Sequence, residues 1–373
     1  MIRLFLTGDN HYGRKYHQHV KSNEIVQLKI EALKNMVQLA NDEKCDFLCI
    51  PGDLFDSQRV IKRDVTEIFS ILKDFEGYVV YLPGNHDYYD EQSKLWEFID
   101  GCIKDSDSII VLNKNEVYEL SVGEDEVFFY PAACFSKTSA PNENNLGWIK
   151  EHDFKEEGIR IGIAHGALEA ATMDEGKYFF MSRKELEDIP VDGWLVGHTH
   201  VPVPRDLEDK YRSGTKIFNA GSPVQNDSNN DTEGYAFILE FEKDQPVKAK
   251  KVNTGNMWFK SLTIHIQPGK LEENLDKETK DFSDNTVLDI HLTGMLNEDE
   301  YSHRNDIIEE TLKRFLEVNY EDNDISKEIT KEAITNEFAE NSIAATLLLS
   351  LLNDPKETQM AYDVIEEIKG KGK

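Results

Sequence analysis

Cysteine is scarce in this chain of 373 residues: Cys45, Cys49, Cys102 and Cys134 are its complement, and no two are spaced as Cys-x-x-Cys. That excludes a disulfide framework and a structural zinc knuckle, and buried free thiols are expected instead. Long apolar runs are missing too, so no membrane-spanning helix is expected. The apolar stretch after Met1 is too short for a secretory leader, which makes the cytoplasm the expected location. No Gly-x-x-x-x-Gly-Lys-Ser/Thr loop is present, which excludes P-loop ATP hydrolysis by this chain. Cations are under-represented, with 42 Lys and Arg against 71 Asp and Glu, for a formal net charge of −29. About half of that excess lies beyond residue 270, so the acidity is not one detachable tail. A broad basic face is therefore not expected.

What is present is a chain long enough for two or three domains. Its hydrophobic content of 39% is adequate for a sizeable core. Apolar strand and helix signals alternate through the first half. Strands are expected at Ile2–Thr7, Asp46–Ile50 and Tyr78–Leu82, with helices at Asn23–Asp42, Asp64–Phe75 and Leu95–Ile103 between and after them. β signals then dominate to Val252. The fold class expected is α/β (α+β), two packed β-sheets flanked by helices. Beyond Met257 the pattern reads as a small βαβα module, with strands at Phe259–Ile266 and Thr286–Leu292 and helices at Lys270–Thr279 and Asp306–Val318. Helices at Ser326–Glu340, Ser342–Leu352 and Thr358–Lys369 close the chain. The domains expected are 1–255, 256–320 and 321–373, the last offering a concentrated apolar surface at Ile343, Leu347, Leu348, Leu351 and Leu352 either to a partner coiled coil or to its own capping module.

Five short motifs end predicted strands, and each offers a metal-binding side chain. They are Asp9-Asn10-His11, Gly52-Asp53-Leu54-Phe55-Asp56, Gly84-Asn85-His86-Asp87, His165-Gly166 and Gly197-His198-Thr199-His200. In α/β folds, sites form outside the carboxyl ends of strands, so the five converge. Metal-assisted phosphate hydrolysis needs two cations that share a bridging carboxylate. Asp53, after the permissive Gly52, is the natural bridge. Mixed imidazole, carboxylate and amide donors suit Mn²⁺, Fe or Zn²⁺ better than Ca²⁺ or an all-oxygen Mg²⁺ site. Asn85 offers an amide oxygen. His86 is then placed to donate a proton to a leaving group, with Asp87 expected to hold its imidazole in one tautomer. His152, His265, His291 and His303 lie outside any such grouping.

These motifs resemble the signature of the calcineurin-like metallophosphoesterases over roughly residues 1–255, and the chain looks closest to SbcD-type nuclease subunits of double-strand-break repair. The finer likeness rests on Arg59 after the second motif, the loop Gly13–His19, Asn219-Ala220-Gly221-Ser222-Pro223, and Asp289-Ile290-His291-Leu292-Thr293-Gly294 in a cap-like extension. The resemblance implies a four-layer sandwich of two mixed β-sheets, a small α+β capping domain and C-terminal helices. It implies Asp9, His11, Asp53 and His200 as ligands of a first metal and Asp53, Asn85, His165 and His198 as ligands of a second, with His86 and Asp87 as the catalytic pair. It further implies Mn²⁺-dependent hydrolysis of DNA phosphodiesters, a homodimer, and an SbcC-like coiled-coil ATPase as partner.

The acidity departs from a DNA-gripping surface, since phosphate contacts normally dominate affinity. Arg14, His17 and Tyr88 are the expected substrate contacts, Tyr88 by stacking on a base. Two rival readings stand beside the nuclease: a small-molecule phosphodiesterase or phosphatase, and a non-catalytic DNA-end scaffold for the ATPase.

Overall fold

The computed structural model describes residues 1–141, 143–171, 176–229 and 232–371. They form two compact units, Met1–Phe259 and Lys260–Lys373. The first unit opens in strict alternation: β1 (Ile2–Leu6), α1 (Ser22–Asp42), β2 (Phe47–Pro51), α2 (Lys62–Leu72), β3 (Tyr78–Leu82), α3 (Lys94–Ile103) and β4 (Ile109–Val111). Next come β5 (Tyr118–Val122), β6 (Asp125–Ala132), α4 (Gly147–Lys150), β7 (Ile159–His165), α5 (Arg183–Asp188) and β8 (Gly193–Gly197). Two short strands, β9 (Arg212–Ser213) and β10 (Ile217–Phe218), precede the hairpin of β11 (Tyr235–Phe241) and β12 (Lys248–Asn253).

One sheet of seven strands runs β4-β3-β2-β1-β11-β12-β9, and a second of five runs β10-β8-β7-β6-β5. Both are mixed. β1 to β4 are parallel while β11 returns antiparallel beside β1. β6, β7, β8 and β10 are likewise parallel. Side chains alternate across each strand, and both faces of both sheets are covered. Phe5, Leu48, Ile50, Val79 and Tyr81 pack with Leu33, Ile68 and Trp96 of the helices. Their neighbours Leu4, Leu6, Phe47, Cys49 and Leu82 meet Phe129, Ile161, Ile163 and Leu195 of the second sheet. Beyond that sheet, Tyr130, Trp194 and Val196 pack on Ile149 and Leu186. The result is the expected helix, sheet, sheet, helix order. Each such fully buried side chain contributes on the order of 1.5–3 kcal/mol, so the inner strands are anchored up to the residue where each motif begins.

In the second unit, β13 (Trp258–Ile266), α6 (Leu271–Thr279), β14 (Thr286–Leu296), α7 (Glu298–Leu312) and β15 (Glu317–Lys327) build a three-stranded sheet with two helices. α8 (Lys331–Glu337), α9 (Ile343–Leu351) and α10 (Pro355–Lys371) follow. Two expectations shift here. α7 starts earlier than Asp306 because Asn297 and Glu300 form a reciprocal capping box that satisfies the first-turn donors. Val318, expected in a helix, lies in β15 opposite Leu288, and Ser326 pairs with Met295. The acidic run Glu321-Asp322-Asn323-Asp324 hides that strand, because its stability comes from pairing with β14 rather than from an apolar alternation. Of the C-terminal apolar residues, Leu348 is buried with Ile334, Phe338 and Ala345, while Ile343 and Leu347 are exposed. No helix among the described residues is long and apolar enough to cross a membrane, and all four cysteines are free thiols.

Candidate metal centre

Five strands of the first unit point their carboxyl ends at one place, and the turns that leave them are held in an uncommon backbone conformation. Asp9, His11, Asp53, His198 and His200 all have positive φ, at 52°, 52°, 50°, 100° and 54°. Each such non-glycine residue stores on the order of 1–3 kcal/mol, and such residues cluster at functional sites. Gly52 (φ +94°) and Gly84 permit the closest approaches. A Cβ on Gly52 would lie 2.0 Å from His165 Nδ1, and one on Gly84 would lie 2.3 Å from Asp53 Oδ1.

The side chains converge around Asp53, which is 1% exposed. Its Oδ2 lies 3.3 Å from His165 Nε2 and 3.8 Å from His11 Nε2, while its Oδ1 accepts from the His86 N–H at 2.8 Å. His165 donates its Nδ1–H to the Pro51 carbonyl at 2.8 Å, which leaves the Nε2 lone pair aimed inward. That atom is also 3.0 Å from Asn85 Oδ1, and His198 Nδ1 is 3.0 Å from the same oxygen. His11 Nε2 and His200 Nε2 are 3.0 Å apart. Asp9 takes the backbone N–H of His198 at 2.8 and 3.0 Å and that of His200 at 3.4 Å, tying the first motif to the last. Two groups of ligand atoms emerge, His11 with Asp56 and His86, and Asp53 with His165 and His198, each within 4.8 Å of one another.

Lone pairs thus face lone pairs in a buried space, an arrangement that needs positive charge among them. The protonation tendencies agree for three of the imidazoles, while His165 itself carries part of that positive charge. Burial drives His198 down to about 3, helped by His165, and drives His200 down to about 4. Burial lowers His11 as well. These imidazoles are neutral near pH 7, the form that ligates a metal. Burial alone would also depress His165, but Asp53 and Asp9 hold it up at about 9. Burial pushes Asp53 up, yet His165, His11 and His86 outweigh it and keep the carboxyl well below its usual range. Burial raises Asp9. The donor set of imidazoles, carboxylates and an amide fits a pair of divalent transition-type cations, and Asp53, a member of one group, lies 3.8 Å from His11 of the other.

All seven expected ligands, Asp9, His11, Asp53, Asn85, His165, His198 and His200, are brought together. His86 joins them, its ring edge-on to His11 at 4.7 Å between centroids. Its Nδ1 lies 2.7 Å from the Asp56 carbonyl, which fixes the proton there and leaves Nε2 free. The expectation that Asp87 orients His86 is therefore corrected. The Asp87 carboxylate instead accepts from the Gly84 and Phe55 N–H groups and the Tyr81 hydroxyl, at 2.7, 2.9 and 2.7 Å. It is fully buried, and burial raises its pKa; it braces the loop beneath His86.

The remaining expected contacts are more dispersed. Arg14 pairs with Asp227 at 3.0 Å and lines a cavity beside His11 together with His17. Tyr88 offers its carbonyl to Gln58 and Trp96. Its neighbour Tyr89 packs edge-on against Trp96. His152 packs against Tyr130 and Trp148. Asn219 donates to the Thr199 hydroxyl at 2.7 Å, bracing the last motif.

The sequence assigns no role to two further participants. Asp56, whose Oδ1 is 3.4 Å from His11 Nδ1, closes the second motif, three residues after Asp53. Lys29 is 4% exposed and donates to the His11 carbonyl at 3.3 Å and to Asn226 Oδ1 at 2.5 Å. Its one signal is a lysine on the same helical stripe as Ile25 and Leu33.

The family profile described as calcineurin-like phosphoesterase matches residues 2–202. No curated protein matches the chain. Among solved structures, TT1561 of Thermus thermophilus is 13% identical over 68% of this chain and 99% of its own, with a TM-score of 0.42. A dimetal phosphatase from Danio rerio is 11% identical over 68% of this chain and 99% of its own, with a TM-score of 0.38. Purple acid phosphatase PPD1 from yellow lupin (Lupinus luteus) seeds is 11% identical over 68% of this chain and 51% of its own, with a TM-score of 0.40.

Proposed function

The chain belongs to the calcineurin-like phosphoesterases, and from that premise we propose that it is a divalent-metal-dependent DNA nuclease of the SbcD type, hydrolysing phosphodiesters during DNA end processing and repair. Asp9, His11, Asp53 and His200 would hold one cation, Asp53, Asn85, His165 and His198 the other, and Mn²⁺ is the metal proposed. When bound, such a pair activates water and neutralises charge on the phosphoryl oxygens. His86, with Nδ1–H committed to the Asp56 carbonyl, gives its second proton, carried on Nε2 in the imidazolium form, to the departing sugar oxygen and is left as the neutral imidazole. Asp87 keeps the turn under His86 rigid through its three buried hydrogen bonds.

The observation that carries the reading is the convergence of donors from five strand exits on Asp53, whose Oδ2 lies 3.3 Å from His165 Nε2 and 3.8 Å from His11 Nε2. Support for DNA as the substrate comes from Arg14, Lys15 and Arg63, which line one cavity together with His11 of the first motif in an otherwise acidic chain. A homodimer engaged with an SbcC-like coiled-coil ATPase belongs to the same proposal. Met360, Val364 and Ile368, exposed at i, i+4 and i+8 of α10, form the stripe offered to that partner.

The net charge of −29 favours a second reading, a small-molecule phosphodiesterase or phosphatase. Assays with Mn²⁺ on linear duplex, DNA hairpin and bis-p-nitrophenyl phosphate separate the two. Cutting of both DNA forms supports the nuclease. Turnover of the small diester alone supports the second reading, and no turnover of any substrate contradicts both.

A further inference from the structure

Beside the metal centre, sharing His11 with it, lies a cavity of about 710 Å³ bounded by the loop after His11, the start of α1 and the start of α2. Its size falls within the ~300–1,000 Å³ typical of small-molecule sites. Its lining is mixed in chemistry. Val26, Ile30, Ile61 and Ile68 supply an apolar wall. The same lining carries the cations Arg14, Lys15, Lys29 and Arg63.

Those cations are only partly neutralised. Arg14 is engaged by Asp227, and Arg63, whose side chain is 81% exposed, bonds the adjacent Asp64. Lys15 has no ion-pair partner among the described residues. Asp64 and Glu67 are the carboxylates lining the cavity, so the cations prevail in a chain whose overall charge is strongly negative. The first turns of α1 and α2 open onto the same space through Ser22, Asn23, Arg63 and Asp64. Neither helix has a side-chain cap, so both leave first-turn N–H groups, with their partial positive charge, unanswered by a cap.

We propose that this cavity is a nucleotide subsite, which takes one phosphate–sugar–base unit with the phosphate toward Lys15, Arg63 and the two helix starts and the base against the isoleucine and valine wall. Its place beside His11 makes it the seat of the nucleotide next to the phosphodiester being cut. In that respect the inference rests on the nuclease reading and names how that site takes its substrate.

The test uses the full-length protein in EDTA, with calorimetric titration of 2′-deoxyadenosine 5′-monophosphate. Wild-type protein is expected to bind it. The double charge reversal Lys15→Glu with Arg63→Glu, and separately the cavity-filling Val26→Trp, are each expected to weaken binding at least about tenfold, with thermal unfolding confirming that both variants fold. Absence of binding to wild type, or equal binding by all three proteins, overturns the proposal. A 5′-phosphorylated thymidine hexamer then distinguishes the source of the nucleotide. Displacement of the monophosphate by the hexamer supports a strand end as occupant, and binding without displacement supports a free nucleotide in the same cavity. DNA cutting by wild type with Mn²⁺ is read independently, so an active nuclease that binds no nucleotide in EDTA overturns this inference alone.

Discussion

Substituting Gly52 by alanine tests the local geometry more sharply than removing a ligand, because the change adds one methyl group and takes no donor away. The new Cβ would lie 2.0 Å from His165 Nδ1, 2.6 Å from its Cγ and 2.8 Å from the Gly84 Cα, all inside van der Waals contact. The His165 imidazole must swing off. That breaks its 2.8 Å bond to the Pro51 carbonyl and leaves a buried acceptor unpaired, at about 1–3 kcal/mol. Alanine at φ +94° adds about 1–2 kcal/mol. A total near 2–5 kcal/mol is a large share of the ~5–15 kcal/mol that holds a domain folded. Urea unfolding in EDTA measures that loss, and calorimetric titration with Mn²⁺ counts ions. The expected variant is folded but weaker by this amount, and its tightly bound Mn²⁺ falls from two ions to one, since His11 and His200 are untouched. Unchanged stability together with two ions bound at wild-type affinity would refute the reasoning.

Further outcomes follow from the same geometry. His86→Ala is expected to retain both ions while kcat drops by about 10²–10⁴-fold; near-normal turnover on DNA with Mn²⁺ contradicts its role as proton donor. Asp87→Ala strands three buried donors, for a loss of at least about 3 kcal/mol by urea unfolding, and a loss below about 1 kcal/mol contradicts the bracing role. For Lys29, burial holds the ammonium down at about 7, below its ordinary 10.5. Below about pH 7 both folded and unfolded chains carry its proton, and the folded state bears the full burial cost. Between about pH 7 and 10.5 the unfolded chain binds more protons, so stability rises with pH. Lys29→Met removes that rise, so wild-type stability measured by urea should climb relative to the variant from about pH 7 to about pH 10. Parallel curves contradict the lowered pKa.

The strands that position the site could be read directly from sequence because they are buried on both faces, and continuous apolar runs such as Phe47–Pro51 and Tyr78–Leu82 leave little choice of element. The motifs stood out for a related reason: a polar cluster directly after such a run has nowhere to go but the sheet edge. Interactions that depend on backbone atoms were not legible. The His86 partner is the carbonyl of Asp56, which any residue type could supply, so the neighbouring Asp87 carboxylate drew the assignment instead. Lys29 was hidden by its own chemistry, since lysine on an amphipathic helix reads as a surface residue until Asn226, from far along the chain, is seen accepting its proton. β15 escaped because its strand character is conferred by pairing with β14 rather than by its own acidic sequence.

The most direct test of the central claim is anomalous diffraction from crystals of the full-length protein soaked in Mn²⁺. Two peaks about 3.5–4 Å apart on either side of the Asp53 carboxylate are predicted, one near His11 and His200 and the other near Asn85, His165 and His198. A map with no manganese peak among these residues, or with both peaks away from Asp53, would contradict the account.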